Sequence, residues 1–170
     1  SSEDAMHEAC KALSNGEIIA IKGLGGFHLA CDATNAQAVT ELRNRKLRVD
    51  KPFAIMMPSI ETVQQHCFVS DSERELLLSS ARPIVLLKRR PESNIVQEVA
   101  PKQDWVGVML PYTPLHYLLF ADSEIKFTAL VMTSGNLSEE PIATDNDEAR
   151  ERFAREARAA APRTSRRTTR

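Results

Sequence analysis

Apolar residues recur at helical spacing over residues 3–14, placing Met6, Cys10 and Leu13 on one stripe. This predicts an amphipathic helix stopped by Gly16. Residues 17–22 (EIIAIK) are rich in β-branched side chains and predict a strand running into Gly23-Leu24-Gly25-Gly26. Asn35 is placed to cap a helix over about 36–47, with Val39 and Leu42 inward and cations crowding its end. Four further apolar runs read as strands: 52–57 (PFAIMM), 83–87 (PIVLL), 106–110 (VGVML) and 129–132 (ALVM). Between them fall helices at 60–67 and at 70–80, the latter with Leu76, Leu77 and Leu78 partly buried. A polar stretch spans 88–104. Pro114 opens a helix carrying Leu115, Tyr117, Leu118, Leu119 and Phe120, and Asp145 opens a last one to about 157. No repeat of 20–50 residues is visible. Strands and helices interleave throughout, the pattern of an α/β domain with a largely buried, mixed or parallel sheet.

Composition narrows the class. With 170 residues, 42% hydrophobic and 26% charged, the chain fits one domain with a sizeable core. No apolar run approaches the roughly 20 residues of a membrane-spanning helix, and SSEDAMHEAC lacks a secretion-signal pattern. Cysteines at 10, 31 and 67 form no CxxC pair, which argues against a disulfide scaffold or structural zinc and favours a reducing, cytoplasmic setting. The net charge of −1 is uneven. Residues 150–170 hold 8 arginines against 2 glutamates, leaving 14 basic and 21 acidic residues in 1–149. The domain proper is therefore expected over 1–157, with 158–170 a basic, disordered or non-native tail. Such a tail can neutralise nucleic-acid phosphates, but its low complexity favours a solvated end.

Three segments carry candidate chemistry. Gly23–Gly26 lets backbone approach a ligand closely, or simply makes a tight turn. The loop is not a P-loop, because Phe27 and His28 follow instead of Lys-Ser/Thr. Next, Arg43, Arg45, Lys46, Arg48 and Lys51 crowd nine residues, which reads equally as a solvated helix end or as a polyphosphate clamp. Lys46 and Arg48 reach one ligand only if the helix has unwound there, and both are expected to be exposed. Finally, Thr133-Ser134-Gly135-Asn136 follows the ALVM run, and ligands bind beyond the ends of strands in open α/β sheets. His116 reads as a packed residue on an apolar helix, and Cys31 as a buried structural thiol. No nucleophile–base pair or metal-ligand set stands out.

Order and spacing join these segments. IKGLGGFHLACDATN, RKLRVDKPFAIM, RPIVLL, VGVMLPYTPLHYLL and LVMTSGNLSEEPI resemble the YrdC-like superfamily of carbamoyl- and threonylcarbamoyl-adenylate-forming domains. KGLGGFHLACDATN and LPYTPLHYLLF look specifically like the YrdC-like domain of hydrogenase-maturation carbamoyltransferases. The resemblance covers about residues 5–157. It implies a twisted mixed β-sheet flanked by helices around a concave basic cavity. It also implies that Lys46 and Arg48 hold the triphosphate of ATP with Mg²⁺, that Ser134 and Asn136 complete the nucleotide site, and that Lys51 assists. Lys22, Gly23, Gly25, Gly26 and His28 stand where the superfamily shapes its acyl-substrate pocket.

The activity implied is joining carbamate, derived from carbamoyl phosphate, to AMP. The carbamoyl group then passes to a cysteine of a hydrogenase-maturation partner protein. The family's acylphosphatase, zinc-finger and transferase modules are not recognised here, so an incomplete activity is expected of this domain alone. Two alternatives stand beside this one. A free-standing threonylcarbamoyl-AMP synthase acting in tRNA modification is disfavoured by the GLGGFHLACDATN loop. A double-stranded RNA-binding module is disfavoured by the acidic balance of residues 1–149.

Overall fold

The computed structural model describes residues 1–23 and 26–135. In chain order they form α1 (Ser2–Ser14), β1 (Ile19–Gly23), β2 (Gly26–Asp32), α2 (Ala36–Arg45), β3 (Ala54–Met56), α3 (Ile60–His66) and β4 (Cys67–Phe68). There follow α4 (Asp71–Leu78), β5 (Val85–Arg89), a 3₁₀ turn (Gln97–Val99), β6 (Trp105–Met109), α5 (Pro114–Phe120) and β7 (Leu130–Ser134).

Side-chain caps fix the helix starts. Ser1 and Ser70 form capping boxes with Asp4 and Glu73, and Thr113 accepts the His116 N–H beside Pro114. The Asn35 Oδ1 accepts the Ala38 N–H at 3.0 Å, so the predicted cap of α2 is present. The last predicted helix, 145–157, and the tail after it lie outside the described residues.

The strands build one mixed sheet ordered β1-β2-β7-β3-β6-β5-β4. Only β3 and β6 pair in parallel among the described strands. One face buries Leu29, Cys31, Ile55, Leu87, Val108 and Val131 with residues of α2, α3 and α4. The other buries Ala30, Met56, Leu130 and Met132 with Cys10 and Leu13 of α1 and Leu119 of α5. Helices thus pack on both faces of the sheet, as expected of an α/β domain.

Patterning missed four things. The glycines do not end a lone strand but join two, since Gly23 pairs with Gly26 and β2 runs back antiparallel to β1. GFHLACD does not alternate, because β2 is flanked by strands and covered on both faces. In α4 only Leu77 is buried, while Leu76 and Leu78 are exposed: one face of a two-turn helix meets the core. Finally, α2 stops at Arg45, two residues early, for a reason that matters to the site.

Candidate functional site

At the end of α2 the chain reverses. Lys46 is the C-cap, its N–H bonded to the Leu42 carbonyl at 3.0 Å. Leu47 adopts φ +53, and the Arg48 N–H returns to the Arg43 carbonyl at 3.0 Å. This left-handed step releases residues 46–48 from helical spacing, so the unwinding needed for two neighbouring cations to serve one ligand is present.

The side chains are not exposed as expected. Lys46 is only 2% exposed, and its Nζ donates to the Ser134 carbonyl at 2.8 Å. An ammonium buried at the strand ends needs acceptors, and the last residue of β7 supplies one. Arg48 is half-buried: its Nη1 donates to the Pro52 carbonyl at 2.9 Å and its guanidinium lies 4.8 Å from the Phe53 ring centre. The Arg48 Nε is buried with no partner among the described residues. An unsatisfied N–H of this kind costs on the order of 1–3 kcal/mol unless a ligand supplies the acceptor.

The cation cluster divides by role. Arg43 is structural, donating to the carbonyls of Glu98, Lys51 and Val99 and sitting 4.7 Å from the Phe53 ring centre. Arg45 pairs with Glu41 on the helix surface at 3.0 Å. Lys51 is exposed and contributes its backbone carbonyl to Arg43. Burial lowers the pKa of Arg43 and Arg48, the neighbouring Arg48 charge adding to the effect on Arg43.

The sheet brings the glycine hairpin to the same place. His28 of β2 is paired with Ser134 of β7 on one side and Ile21 of β1 on the other, and the Gly135 N–H donates to the Phe27 carbonyl at 2.8 Å. The His28 ring covers Gly23: a Cβ there would lie 3.4 Å from Nε2 and 3.2 Å from the Gly26 carbonyl. Gly26 takes φ +142, open to glycine alone at no cost. Lys22, opposite Phe27, has an exposed side chain.

His116 is buried, as expected, but not in purely apolar packing. Its Nδ1 accepts the Tyr112 N–H at 3.4 Å, which assigns the proton to Nε2, and the Tyr112 ring meets it edge-on at 4.6 Å. Burial lowers the pKa of both His116 and His28, and the His28 charge further lowers that of His116, so the two imidazoles belong to one neighbourhood. The spacing of Tyr112 and His116 across the cap of α5 could have signalled their contact, but nothing in the local sequence joins His116 to His28.

Thus Lys46, Ser134, Gly23, Gly26 and His28 converge at one end of β2 and β7, with Arg48 two residues from Lys46. Gly25 and Asn136 lie outside the described residues. Cys31 is buried with its thiol pushed up to about 12, so it stays a structural thiol rather than a nucleophile. Among the described residues no group of three His, Cys, Asp or Glu is placed to hold a metal ion. A buried lysine beside a half-buried arginine whose Nε lacks an acceptor suits an anionic ligand.

Comparison with known proteins places this arrangement. The family model of Sua5, YciO and YrdC, described as telomere recombination, matches residues 11–166. Carbamoyltransferase HypF2 of Cupriavidus necator is 48% identical over 162 residues, covering 88% of this chain and 20% of that protein. Carbamoyltransferase HypF of Synechocystis is 49% identical over 146 residues, covering 86% and 19%. The chain therefore spans about a fifth of the length of these relatives. Full-length HypF in its phosphate- and nucleotide-bound form superposes with a TM-score of 0.83 at 53% identity, over 89% of this chain and 20% of that one. Sua5 of P. abyssi complexed with L-threonine shares the fold, with a TM-score of 0.74 at 21% identity over 88% and 44%.

Proposed function

The chain belongs to the Sua5/YciO/YrdC family, and from that premise we propose that it is the adenylate-forming domain of a HypF-type carbamoyltransferase, binding ATP and carbamate to make carbamoyl-AMP. The observation that carries the reading is the bond from Lys46 Nζ to the Ser134 carbonyl. It joins the two halves of the family's Lys-x-Arg and Ser-x-Asn motifs across 88 residues of chain. The nucleotide-bound form of a 53% identical protein supports it.

In this reading a carbamate oxygen attacks the α-phosphorus of ATP. The new O–P bond forms as the bond to the bridging oxygen breaks, and pyrophosphate leaves with that electron pair. No protein nucleophile is needed, so positioning and charge neutralisation do the work. Lys46 and Arg48 hold the triphosphate, the orphaned Arg48 Nε gaining its acceptor. Ser134 and Asn136 complete the nucleotide site, and Lys51 assists from the exposed side. Mg²⁺ would travel with the triphosphate and neutralise part of its charge. Lys22 and the Gly23, Gly25, Gly26 and His28 hairpin bound the carbamate, the neutral His28 offering a hydrogen bond without adding charge.

The product would pass to other modules of the full-length carbamoyltransferase and then to a hydrogenase-maturation partner carrying an acceptor cysteine. Relatives at 44–50% identity are named carbamoyltransferases, which favours carbamate over threonylcarbamate as the acyl group. Calorimetric titration of ATP–Mg²⁺ into the domain tests the reading: saturable one-site binding is expected, and no heat of binding would contradict it.

A further inference from the structure

The sheet is covered unequally. On the face where α1 and α5 bury β1, β2, β7, β3 and Met109 at the end of β6, the remainder, over the start of β6 and over β5 and β4, is exposed. Leu86 of β5 is 59% exposed, Ile84 58%, Phe68 of β4 46% and Trp105 of β6 45%. Their strand neighbours Val85, Leu87, Val106 and Val108 point into the opposite core, so these side chains share one outward face.

The register makes a row of it. Phe68 is paired with Lys88, and Lys88 with Trp105, so an aromatic ring flanks the lysine on either side across three strands. Arg90 lies 4.4 Å from the Phe68 ring centre, and Ile84 covers Gly107, whose added Cβ would sit 3.0 Å from the Ile84 methyl. Phe68, Lys88, Arg90 and Trp105, with Glu73, line a depression of about 420 Å³ at one end of the patch.

We infer that this half-face docks a neighbouring module of the full-length carbamoyltransferase, through a surface carrying apolar side chains and a carboxylate to meet Lys88. The inference rests on the family reading above. Two observations select this occupant. Relatives and the superposed full-length structure are about five times as long as the part this chain matches, so in them the domain works beside about four times its own length of further protein. A second copy fits poorly, because among the described residues lining the depression the cations Lys88 and Arg90 outnumber the one acid, Glu73, so two copies brought face to face would set like net charge against like. A contiguous apolar patch on a soluble domain marks such an interface.

Trp105 is the sole tryptophan of the chain, which gives a direct readout. Hydroxyl-radical footprinting with mass spectrometry would compare the 170-residue chain alone with the chain grafted into Cupriavidus HypF2 in place of its matching fifth. Oxidation of Trp105, Phe68 and Leu86 is expected to fall several-fold in the graft, with exposed Tyr117 of α5 unchanged and Met57 unoxidised as the sign of an intact core. Leu86→Glu should restore oxidation of Trp105 in the graft and leave the melting temperature of the isolated chain unchanged. The same readout on the isolated chain mixed with the remainder of HypF2 guards against a graft that does not fold. Equal oxidation with and without the other modules in both formats would overturn the inference, and so would protection that rises with concentration of the isolated chain, which would assign the face to a second copy. Because the readout needs no ATP, its failure is distinct from failure of the nucleotide reading.

Discussion

Replacing Lys46 by methionine keeps most of the aliphatic stem and removes only the ammonium. The change strands the Ser134 carbonyl, which accepts from Nζ at 2.8 Å. A hydrogen bond to a charged group is worth about 1.5–3 kcal/mol, but methionine also escapes the desolvation of a charge that is 2% exposed. The two terms oppose, so net stability should move by no more than about 2 kcal/mol, or roughly 4–8 °C in melting temperature. Nucleotide binding has no such compensation. Loss of one charged contact to phosphate should weaken ATP–Mg²⁺ binding about 10- to 150-fold, at 1.4 kcal/mol per factor of ten. Calorimetry on wild type and variant, each checked for cooperative melting, measures both quantities. A folded Lys46→Met variant that binds ATP within twofold of wild type would refute the phosphate role. Lys46→Ala is a poorer test than an exposed lysine would make it, because truncating a buried stem also opens a cavity.

Arg43→Met should be a stability variant rather than a binding one. It strands three backbone carbonyls and should cost on the order of 3 kcal/mol, read as a fall in melting temperature with ATP affinity of the folded fraction retained. Gly16→Ala forces a side chain into φ +83 and sets a Cβ 2.8 Å from the Asn35 Nδ2, disturbing the cap of α2. A loss of about 1–2 kcal/mol in urea unfolding is expected. His7 donates from Nδ1 to Asp122 at 2.7 Å, tying α1 to the end of α5. That bond raises the His7 pKa above its ordinary 6.5, and with backbone N–H donors holds Asp122 at about 2 instead of 3.8. The histidine's contribution is complete below 6.5 and lost as pH rises through its raised value; the aspartate's is present above 3.8 and lost as pH falls through about 2. His7→Gln should therefore lower the melting temperature most between those limits, near pH 5 to 6, and a difference that grows above pH 8 would contradict the pairing.

Much of the fold was legible because local rules and burial agree in it. Asn35 caps where predicted, α4 starts within a residue of its predicted position, Pro114 opens α5, and Cys10 and Leu13 line the buried stripe of α1. What was not legible depended on partners distant in sequence. Strand β2 shows no alternation since β1 and β7 flank it and helices cover both its faces, and β4 is only two residues long. The site followed the same division. The Lys-x-Arg and Ser-x-Asn spacing marked its residues, but not the burial of Lys46, which exists because β7 ends beneath it. Nor could spacing separate Arg43, spent on three carbonyls, from Arg48, whose Nε is left unpaired among the described residues. His116 was rightly read as packed, yet its bond from the Tyr112 N–H and its edge-on contact with the Tyr112 ring are not visible in apolar patterning.

Acyl-dependent pyrophosphate chemistry tests the central claim most directly. The purified domain would be given ATP–Mg²⁺ and labelled pyrophosphate, with ammonium carbamate in one arm and threonine plus bicarbonate in the other. Label should enter ATP only in the carbamate arm, and Arg48→Gln should abolish it while the protein stays folded. Exchange driven by threonine and bicarbonate, with none from carbamate, would contradict the account and make the domain a threonylcarbamoyl-AMP synthase.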